Sequence, residues 1–179
     1  FQWGNLYCND YMECYAYDYS LSSVCSDNTI HCSGSRSCWD SDFIQGKHVE
    51  CRGSQSCTYS NIINTNTTQT NIQTSRSLLC NGLYSCAFIP FINVAEIYQC
   101  DGAFSCYQSY IFPQYNNAEI SGNGAYSLVN SRIETPGTGL NIYINLSGYN
   151  SGYNTSIICK GSDICHLKCQ GNACNFTYF

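Results

Sequence analysis

Apolar residues recur along the chain at a fixed distance from a short motif, and this spacing predicts a repeat. The motif Cys-x-Gly-x-x-Ser-Cys occurs four times, beginning at Cys32, Cys51, Cys80 and Cys100. Five residues after the second cysteine a bulky apolar residue returns, and in three copies a serine stands two residues before it. The apolar residues are Phe43, Ile62, Phe91 and Ile111, and the serines are Ser41, Ser60 and Ser109. A repeat of this kind decides the architecture before any single motif is interpreted.

The repeat continues where its cysteines are missing. Gly122 to Leu128 and Leu146 to Gly152 keep the motif with glycine and leucine in the cysteine positions, and Cys8 to Cys14 keeps only the cysteine spacing. Copies therefore begin at positions 8, 32, 51, 80, 100, 122 and 146. The mean period is about 23 residues, which lies in the range of solenoid repeats.

A period of this length predicts one coil of a parallel β-solenoid, because it is too short for a pair of helices. Alternating stretches such as Asn141-Ile-Tyr-Ile-Asn145 have the period and composition of strands. We predict a single all-β domain, a right-handed parallel β-helix of about seven coils. Residues 1–31 form an irregular aromatic first coil, 32–158 the regular coils, and 159–179 a tight terminal turn pinned by disulfides. Residues 64–75 and 135–139 are predicted loops, and the motif glycine is expected to supply the positive φ of a tight corner.

Equivalent residues of successive coils should stack about 4.8 Å apart and form inward columns. Seven coils at that rise give a rod roughly 35–40 Å long. One predicted column contains Phe43, Ile62, Phe91, Ile111, Ile133 and Ile157, and the other contains Val49, Leu78, Ile97, Ile120 and Ile142. The serines beside the first column are expected to form hydrogen bonds along the stack.

The fifteen cysteines allow two disulfide arrangements. Each pair can close its own corner, or cysteines of neighbouring coils can pair, because the stacking distance suits a disulfide. The loss of both cysteines together in the copies at 122 and 146 favours the first arrangement, although a ladder that ends at Cys106 would give the same pattern. The candidate same-corner pairs are Cys8 and Cys14, Cys32 and Cys38, Cys51 and Cys57, Cys80 and Cys86, Cys100 and Cys106, Cys159 and Cys165, and Cys169 and Cys174. Cys25 is the odd cysteine and a candidate intermolecular thiol.

Composition predicts a secreted, extracellular or cell-surface glycoprotein. Fifteen cysteines without a zinc pattern are typical of an oxidising compartment, so no metal or cofactor is expected. A net charge of −5 argues against nucleic-acid binding, and the chain lacks an uninterrupted apolar run long enough to span a membrane. The chain starts at Phe1 without a signal-peptide pattern, so we expect a mature product or part of a longer protein. The predicted N-glycosylation sites are Asn66, Asn145, Asn154 and Asn175.

The tandem Cys-x-Gly-x-x-Ser-Cys copies resemble those of secreted, cysteine-rich right-handed β-helix proteins that recur in protists. The resemblance covers roughly residues 32–174. It implies an extracellular, often surface-associated protein, and it carries no catalytic residue to this chain.

Both ends of the predicted rod are rich in aromatic residues, which favours a structural role. Solenoids normally cover their ends with polar caps. Ends that remain apolar would let subunits stack head to tail into a filament or coat. The predicted assembly residues are Phe1, Trp3, Leu6, Tyr7, Phe176, Tyr178 and Phe179.

Two other functions compete with this hypothesis. Exposed tyrosines, with Trp3 or Trp39, favour a carbohydrate-binding or adhesin module. A polysaccharide lyase or hydrolase would need clustered carboxylates, for which Glu96 and Glu119 are the candidates because they lie one repeat apart. The remaining titratable candidates are Asp40, Asp42, His31, His48 and His166. None of these histidines pairs with an evident nucleophile in the sequence, so we predict that the protein is not an enzyme.

Overall fold

The computed structural model describes residues 6–11, 13–14, 23–25, 29–41, 43–45, 48–60, 62–63, 77–90, 92–94 and 96–175. Within these residues the chain is all β and contains no helix. The strands are β1 Leu6–Cys8, β2 Ser23–Cys25, β3 Thr29–Cys32, β4 Phe43–Gln45, β5 His48–Cys51, β6 Ile62–Ile63, β7 Ser77–Cys80, β8 Ile92–Val94, β9 Ile97–Cys100, β10 Tyr110–Pro113, β11 Ala118–Gly122, β12 Arg132–Glu134, β13 Asn141–Leu146, β14 Ser156–Ile158 and β15 Ile164–Cys169.

Odd-numbered and even-numbered strands form two separate parallel sheets, as a solenoid requires. The odd strands make an eight-stranded sheet and the even strands a seven-stranded sheet, each in chain order. The first motif positions of successive copies stack on one another in the odd sheet, from Cys8 to Cys169. The prediction of a disulfide-rich parallel β-solenoid with a period of about 23 is confirmed. About five turns are described without a long gap, slightly fewer than the seven predicted, because 15–22, 26–28 and 64–76 lie outside the described residues.

The register continues past residue 158, where the regular coils were predicted to end. Strand β15 pairs with β13 over its whole length and places Cys169 beside Leu146. Gln170 N then donates to Leu146 O at 2.9 Å, and Cys174 N donates to Ser151 O at 2.9 Å. The corner from Cys169 to Cys174 is therefore a further copy of the repeat, shorter by one residue.

The first predicted column is wrong at two of its six positions. The residues that the register aligns in the even sheet are Ile44, Ile62, Ile92, Ile111, Ile133 and Ile157. Ile44 and Ile92 are fully buried and take the aligned positions for which Phe43 and Phe91 were predicted; Phe91 itself lies outside the described residues. These two coils hold one more residue between the second cysteine and the strand, so a count of five falls one residue short.

The second predicted column is also wrong at two positions. In the odd sheet the column consists of Leu6, Ile30, Val49, Leu78, Tyr98, Ile120, Ile144 and Leu167. Tyr98 is fully buried, whereas the predicted Ile97 is paired with Ser77 and Glu119 and is only partly buried. Ile142 is buried but stacks on Ala118 in a different column. Every member of the observed column lies two residues before the first motif position.

The corners place non-glycine residues at positive φ, at the fourth, sixth and eighth positions after the first cysteine. In the copy at Cys80 these are Tyr84, Cys86 and Phe88, with φ of 55°, 51° and 55°. A left-handed residue costs about 1–2 kcal/mol. Hydrogen bonds between coils offset this cost: Tyr84 N and Phe88 N donate to the following coil, and Cys86 N donates to the preceding coil. The N–H groups of these residues therefore point alternately to the following and to the preceding coil, and each corner is hydrogen-bonded to both of its neighbours.

In the regular coils the motif glycine has a different role from the one predicted, whereas Gly161 and Gly171 in the last two Cys-x-Gly stretches do take the predicted positive φ, at 56° and 60°. Gly34, Gly53 and Gly82 are absent from the positive-φ residues of the corners. A Cβ on Gly82 would lie 2.1 Å from the carbonyl oxygen of Gly53, and a Cβ on Gly53 would lie 2.0 Å from that of Gly34. Glycine is therefore needed because one coil packs its backbone directly on the next.

Serines beside the even sheet connect the coils, as predicted. Ser60 Oγ donates to Cys38 O at 2.8 Å and accepts from Ser41 N at 3.0 Å. Ser131 Oγ repeats this arrangement with Cys106 O at 2.8 Å and Ser109 N at 3.2 Å. Each serine thus bonds to the backbone of the coil before its own.

Replacing Gly82 with alanine should destabilise the protein by at least about 2 kcal/mol, because the added methyl group meets a backbone oxygen that cannot move away. Urea unfolding with the disulfides intact measures this change. Leu83→Ala is the matched control, since Leu83 is exposed and its loss should change the free energy by less than about 0.5 kcal/mol. Equal effects of the two substitutions would contradict the packing role of the glycine.

Candidate functional site

Seven disulfides close seven corners of the described chain, which is the same-corner arrangement. The bonds join Cys8–Cys14, Cys32–Cys38, Cys51–Cys57, Cys80–Cys86, Cys100–Cys106, Cys159–Cys165 and Cys169–Cys174. Because these bonds use the other fourteen cysteines, Cys25 has no cysteine partner left within the chain. Sulfur atoms of neighbouring corners lie close together, but in disulfides they are not thiolate ligands for a metal.

Two corners replace the disulfide with one leucine and one glycine. In the copy at Gly122 the leucine is Leu128, and in the copy at Leu146 the glycine is Gly152. A Cβ on Gly122 would lie 3.0 Å from Leu128 Cδ1 and 2.9 Å from Leu146 Cδ2. Leucine side chains therefore fill the space that two cysteine side chains occupy elsewhere.

Three of the four predicted glycosylation sites lie in the described residues. Asn145, Asn154 and Asn175 are all exposed, so each has room for a glycan. Asn154 Nδ2 donates to Asn130 Oδ1 at 2.7 Å in the folded chain. Asn66 lies outside the described residues.

The carboxylates considered for catalysis do not form the predicted pair. The register places Glu119 beside Ile97 and Tyr143, so Glu96 is one residue out of line with it. Glu119 N instead donates to Glu96 O at 2.8 Å through the backbone. Asp40 is exposed, and Asp42 lies outside the described residues.

The structure brings His48 to a serine hydroxyl, a contact that the sequence analysis missed. His48 Nδ1 lies 3.0 Å from Ser77 Oγ on the outer face of β5 and β7. Both residues lie three positions before the first cysteine of a motif, and this shared position could have predicted their contact. The insertion at 64–75 lengthens the interval between them, so the match is hard to see in the sequence. A base within hydrogen-bonding distance of a nucleophile is the first requirement of covalent catalysis. The enzyme alternative therefore rests on this pair and no longer on Glu96 and Glu119.

The other two histidines stack on tyrosines. His31 lies 4.6 Å from Tyr7, and His166 lies 4.7 Å from Tyr143, measured between ring centroids. His31 Nδ1 is also 2.8 Å from Glu50 Oε2. These contacts belong to the outer face of the odd sheet.

The described residues of the predicted apolar ends belong to the fold itself. Leu6 packs against the core, and Tyr7 is 51% exposed on the face of β1, where it stacks on His31. The other predicted end residues lie outside the described residues: Phe1, Trp3, Phe176, Tyr178 and Phe179.

A carboxylate closes the first corner of the solenoid. In later coils, the two N–H groups after the first motif position donate to the preceding coil, as Ser33 N and Gly34 N do to Cys8 O. In the first corner the equivalent groups are Asn9 N and Asp10 N, which donate to Glu13 Oε2 at 2.6 and 3.0 Å. Glu13 thus takes the place of a preceding coil.

A cluster of charges fixes the far end of the even sheet. Glu134 is 7% exposed and accepts hydrogen bonds from Lys160 Nζ, from Arg132 Nε at 2.7 Å and from Tyr110 OH at 3.1 Å. The hydrogen bonds from Lys160 and Arg132 lower the pKa of Glu134 to about 2, although desolvation acts in the opposite direction. This cluster ties β10, β12 and the segment after β14 together.

The loop predicted at 135–139 is organised by one carboxylate. Gly137 N donates to Asp163 Oδ2 at 2.6 Å, and Gly139 N and Leu140 N each donate to Oδ1 at 2.7 Å. Desolvation raises the pKa of Asp163, but these hydrogen bonds, together with one from Thr135, outweigh it and lower the pKa.

Aromatic rings form two rows along the corners. The first row consists of Trp39, Tyr59, Phe88 and Tyr107, with neighbouring centroids 5.7, 5.1 and 5.4 Å apart. The second row consists of Tyr84, Phe104, Tyr126 and Tyr149, with centroids 4.9, 4.9 and 5.6 Å apart. A cavity of about 130 Å³ lies between the rows and is lined by Trp39, Gln55, Thr58, Tyr59, Tyr84 and Phe88. Of these residues, only Trp39 is among the candidates for carbohydrate binding named from the sequence.

The Glu134→Gln variant should lose less of its free energy of unfolding than wild type when the pH is lowered. Glu134 contributes stability above its ordinary pKa of about 4.5, and this contribution disappears as the pH falls toward its folded value of about 2. The free energy of unfolding of the variant should therefore change less over this interval. Urea unfolding at several pH values measures the slope, with the exposed Glu119→Gln as control. Identical slopes for wild type and Glu134→Gln would contradict the cluster's role.

No protein-family model, curated protein or solved structure matches the chain. The resemblance to protist β-helix proteins therefore stays a prediction. Within the described residues, no helix is long and apolar enough to cross a bilayer.

Proposed function

We propose that the protein is an extracellular structural glycoprotein that builds a filament or surface coat by head-to-tail stacking of its solenoid. The observation that carries this proposal is that the two end strands of the odd sheet present the same repeat positions. Leu6 of β1 and Leu167 of β15 belong to one apolar column, and Cys8 and Cys169 both begin disulfide-closed corners.

The even sheet has matching ends as well. Val24 of β2 and Ile157 of β14 occupy the same register position, and each strand pairs with only one neighbour among the described residues. A second copy placed one strand spacing beyond β15 would continue the column of the odd sheet. Such a contact joins two different surfaces and does not close on itself, so it extends into a filament.

Glu13 has to move when a subunit stacks on the first corner. Its carboxylate holds Asn9 N and Asp10 N, whose equivalents in later coils bind a carbonyl of the coil before. In the filament, the carbonyl of Cys169 from the preceding subunit would take over this role. Glu13 would then become a free, exposed carboxylate, and the isolated chain would keep its first corner covered until a partner arrives.

Cys25 lies in β2, an edge strand of the even sheet among the described residues, and stacking therefore brings it to the proposed junction. The cysteines of the facing end are already in disulfides, so head-to-tail stacking offers Cys25 no free thiol and the intermolecular link stays a prediction.

Seven disulfides indicate an oxidising environment outside the cell. Glycans on the exposed Asn145, Asn154 and Asn175 would cover the sides of the filament and leave the strand edges to the subunit contact. The mass of the native protein before and after peptide N-glycosidase treatment tests this part of the proposal, and an unchanged mass would remove the glycans from it.

Negative-stain electron microscopy of the unreduced protein should show filaments with an axial repeat of roughly 35–40 Å, or a small multiple of it. Glu13→Ala should lengthen the filaments or lower the concentration at which they form, because it uncovers Asn9 N and Asp10 N. Glu119→Ala removes an exposed carboxylate from the middle of the odd sheet and should leave assembly unchanged. Discrete monomers of both wild type and Glu13→Ala at every concentration would overturn the proposal.

A further inference from the structure

The cavity between the two aromatic rows is shaped by residues of three neighbouring coils. It has a volume of about 130 Å³, and its lining residues belong to the corners that follow β3, β5 and β7, with none from the edge strands β1 and β15. We propose that this cleft binds a single neutral pyranose ring of a polysaccharide. The inference does not depend on the filament, because neither edge strand of the odd sheet contributes to the cleft.

The first row supplies ring surface. Trp39 and Tyr59 lie 5.7 Å apart with their planes inclined by 50°, so they do not cover each other as fully as the stacked pair Tyr59 and Phe88. Tyr59 is 47% exposed. Aromatic faces carry partial negative charge and attract the polarised C–H groups on the face of a sugar ring.

The second row and the floor supply polar groups. Gln55 and Tyr84 line the cleft at the fourth position of their corners, both at positive φ. Thr58 is buried below them and is held by a 3.0 Å hydrogen bond from its Oγ1 to Tyr84 O. A cleft with aromatic surface and a few fixed polar groups is the usual form of a small-molecule site.

Arg36 fixes both sides of the cleft from outside. Its guanidinium carbon lies 4.8 Å from the centroid of Trp39, and its Nε donates to Gln55 Oε1 at 2.8 Å. Because this bond occupies the amide oxygen, the NH₂ group of Gln55 remains as the donor for a ligand hydroxyl. Trp39 and Gln55 are thus ordered before a ligand binds, which lowers the entropy cost of binding.

The chemistry of these groups selects a neutral sugar. A pyranose ring combines apolar C–H faces with hydroxyl groups at its edge, and the cleft offers aromatic faces beside an amide donor and tyrosine hydroxyls. The residues that line the cleft are all neutral, and Arg36 lies outside this lining, where it contacts Trp39 and Gln55. The volume admits one ring and leaves the rest of a polysaccharide chain outside.

Isothermal titration of the intact protein with cellohexaose, chitohexaose and mannohexaose tests the proposal. At least one of these probes should bind, and Trp39→Ala and Tyr59→Ala should each weaken that binding roughly tenfold or more, as for the loss of a central aromatic contact. Gln55→Leu should weaken sugar binding although it leaves the aromatic rings in place, and Tyr59→Phe should retain most of the wild-type affinity. Tyr143→Ala is the matched control, because it removes an exposed tyrosine from the outer face of β13 and should bind like wild type.

The fold of each variant is verified by a mass that shows seven intact disulfides and by its unfolding midpoint. Three results would overturn the proposal: no binding of any of the hexasaccharides, wild-type affinity of correctly folded Tyr59→Ala and Gln55→Leu, or an equal loss in Tyr143→Ala. A proline-rich decapeptide is titrated in parallel, since aromatic grooves also bind such peptides. Tighter binding of the peptide than of every sugar, lost in Tyr59→Ala, would assign the cleft to a protein partner instead.

Discussion

The direct stacking of one backbone on the next at the motif glycines is the constraint on which the structure depends. A Cβ at Gly53, Gly82 or Gly102 would lie 2.0 to 2.2 Å from the carbonyl oxygen of the glycine before it. Coils can therefore reach the spacing of a parallel sheet at their corners only where this position is glycine. In the corners from Cys32 to Leu146 the same approach brings two N–H groups to the carbonyl of the first motif residue of the preceding coil, as Arg52 N and Gly53 N meet Cys32 O at 3.0 and 3.2 Å.

The disulfides strengthen a corner whose shape the backbone already determines. The copies at Gly122 and Leu146 have no disulfide, yet Leu128 N and Gly152 N make the same hydrogen bonds to the preceding coil as the cysteines do elsewhere. Their leucines supply the volume that the sulfur atoms supply in other corners. The covalent bonds therefore act chiefly by restricting the unfolded chain.

The repetition of coils inside the solenoid also places the surface side chains in rows. Because successive corners repeat one conformation, side chains at one motif position form a row, and rings such as Tyr84, Phe104 and Tyr126 stack 4.9 Å apart. Between two such rows the cleft forms without a dedicated loop. At the first described corner Glu13 satisfies the N–H groups that a preceding coil satisfies elsewhere. Both proposed functions, lateral sugar binding and end-to-end assembly, follow from this regularity.

The sequence by itself determined the period and the parallel solenoid, because these depend only on spacing along the chain. It left two disulfide arrangements open, and the structure decided for pairs within one corner. The tertiary structure decided which of two adjacent apolar residues takes the aligned, buried position: Ile44 takes it in the even sheet where Phe43 was predicted, and Tyr98 is buried beside the partly buried Ile97. Side chains alternate along a strand, so one extra corner residue reverses the faces, and hydrophobicity alone does not reveal it. The positive φ of residues such as Arg36 and Phe104, and with it the cleft, was equally hidden, because hydrogen bonds between coils impose that conformation on side chains that do not favour it.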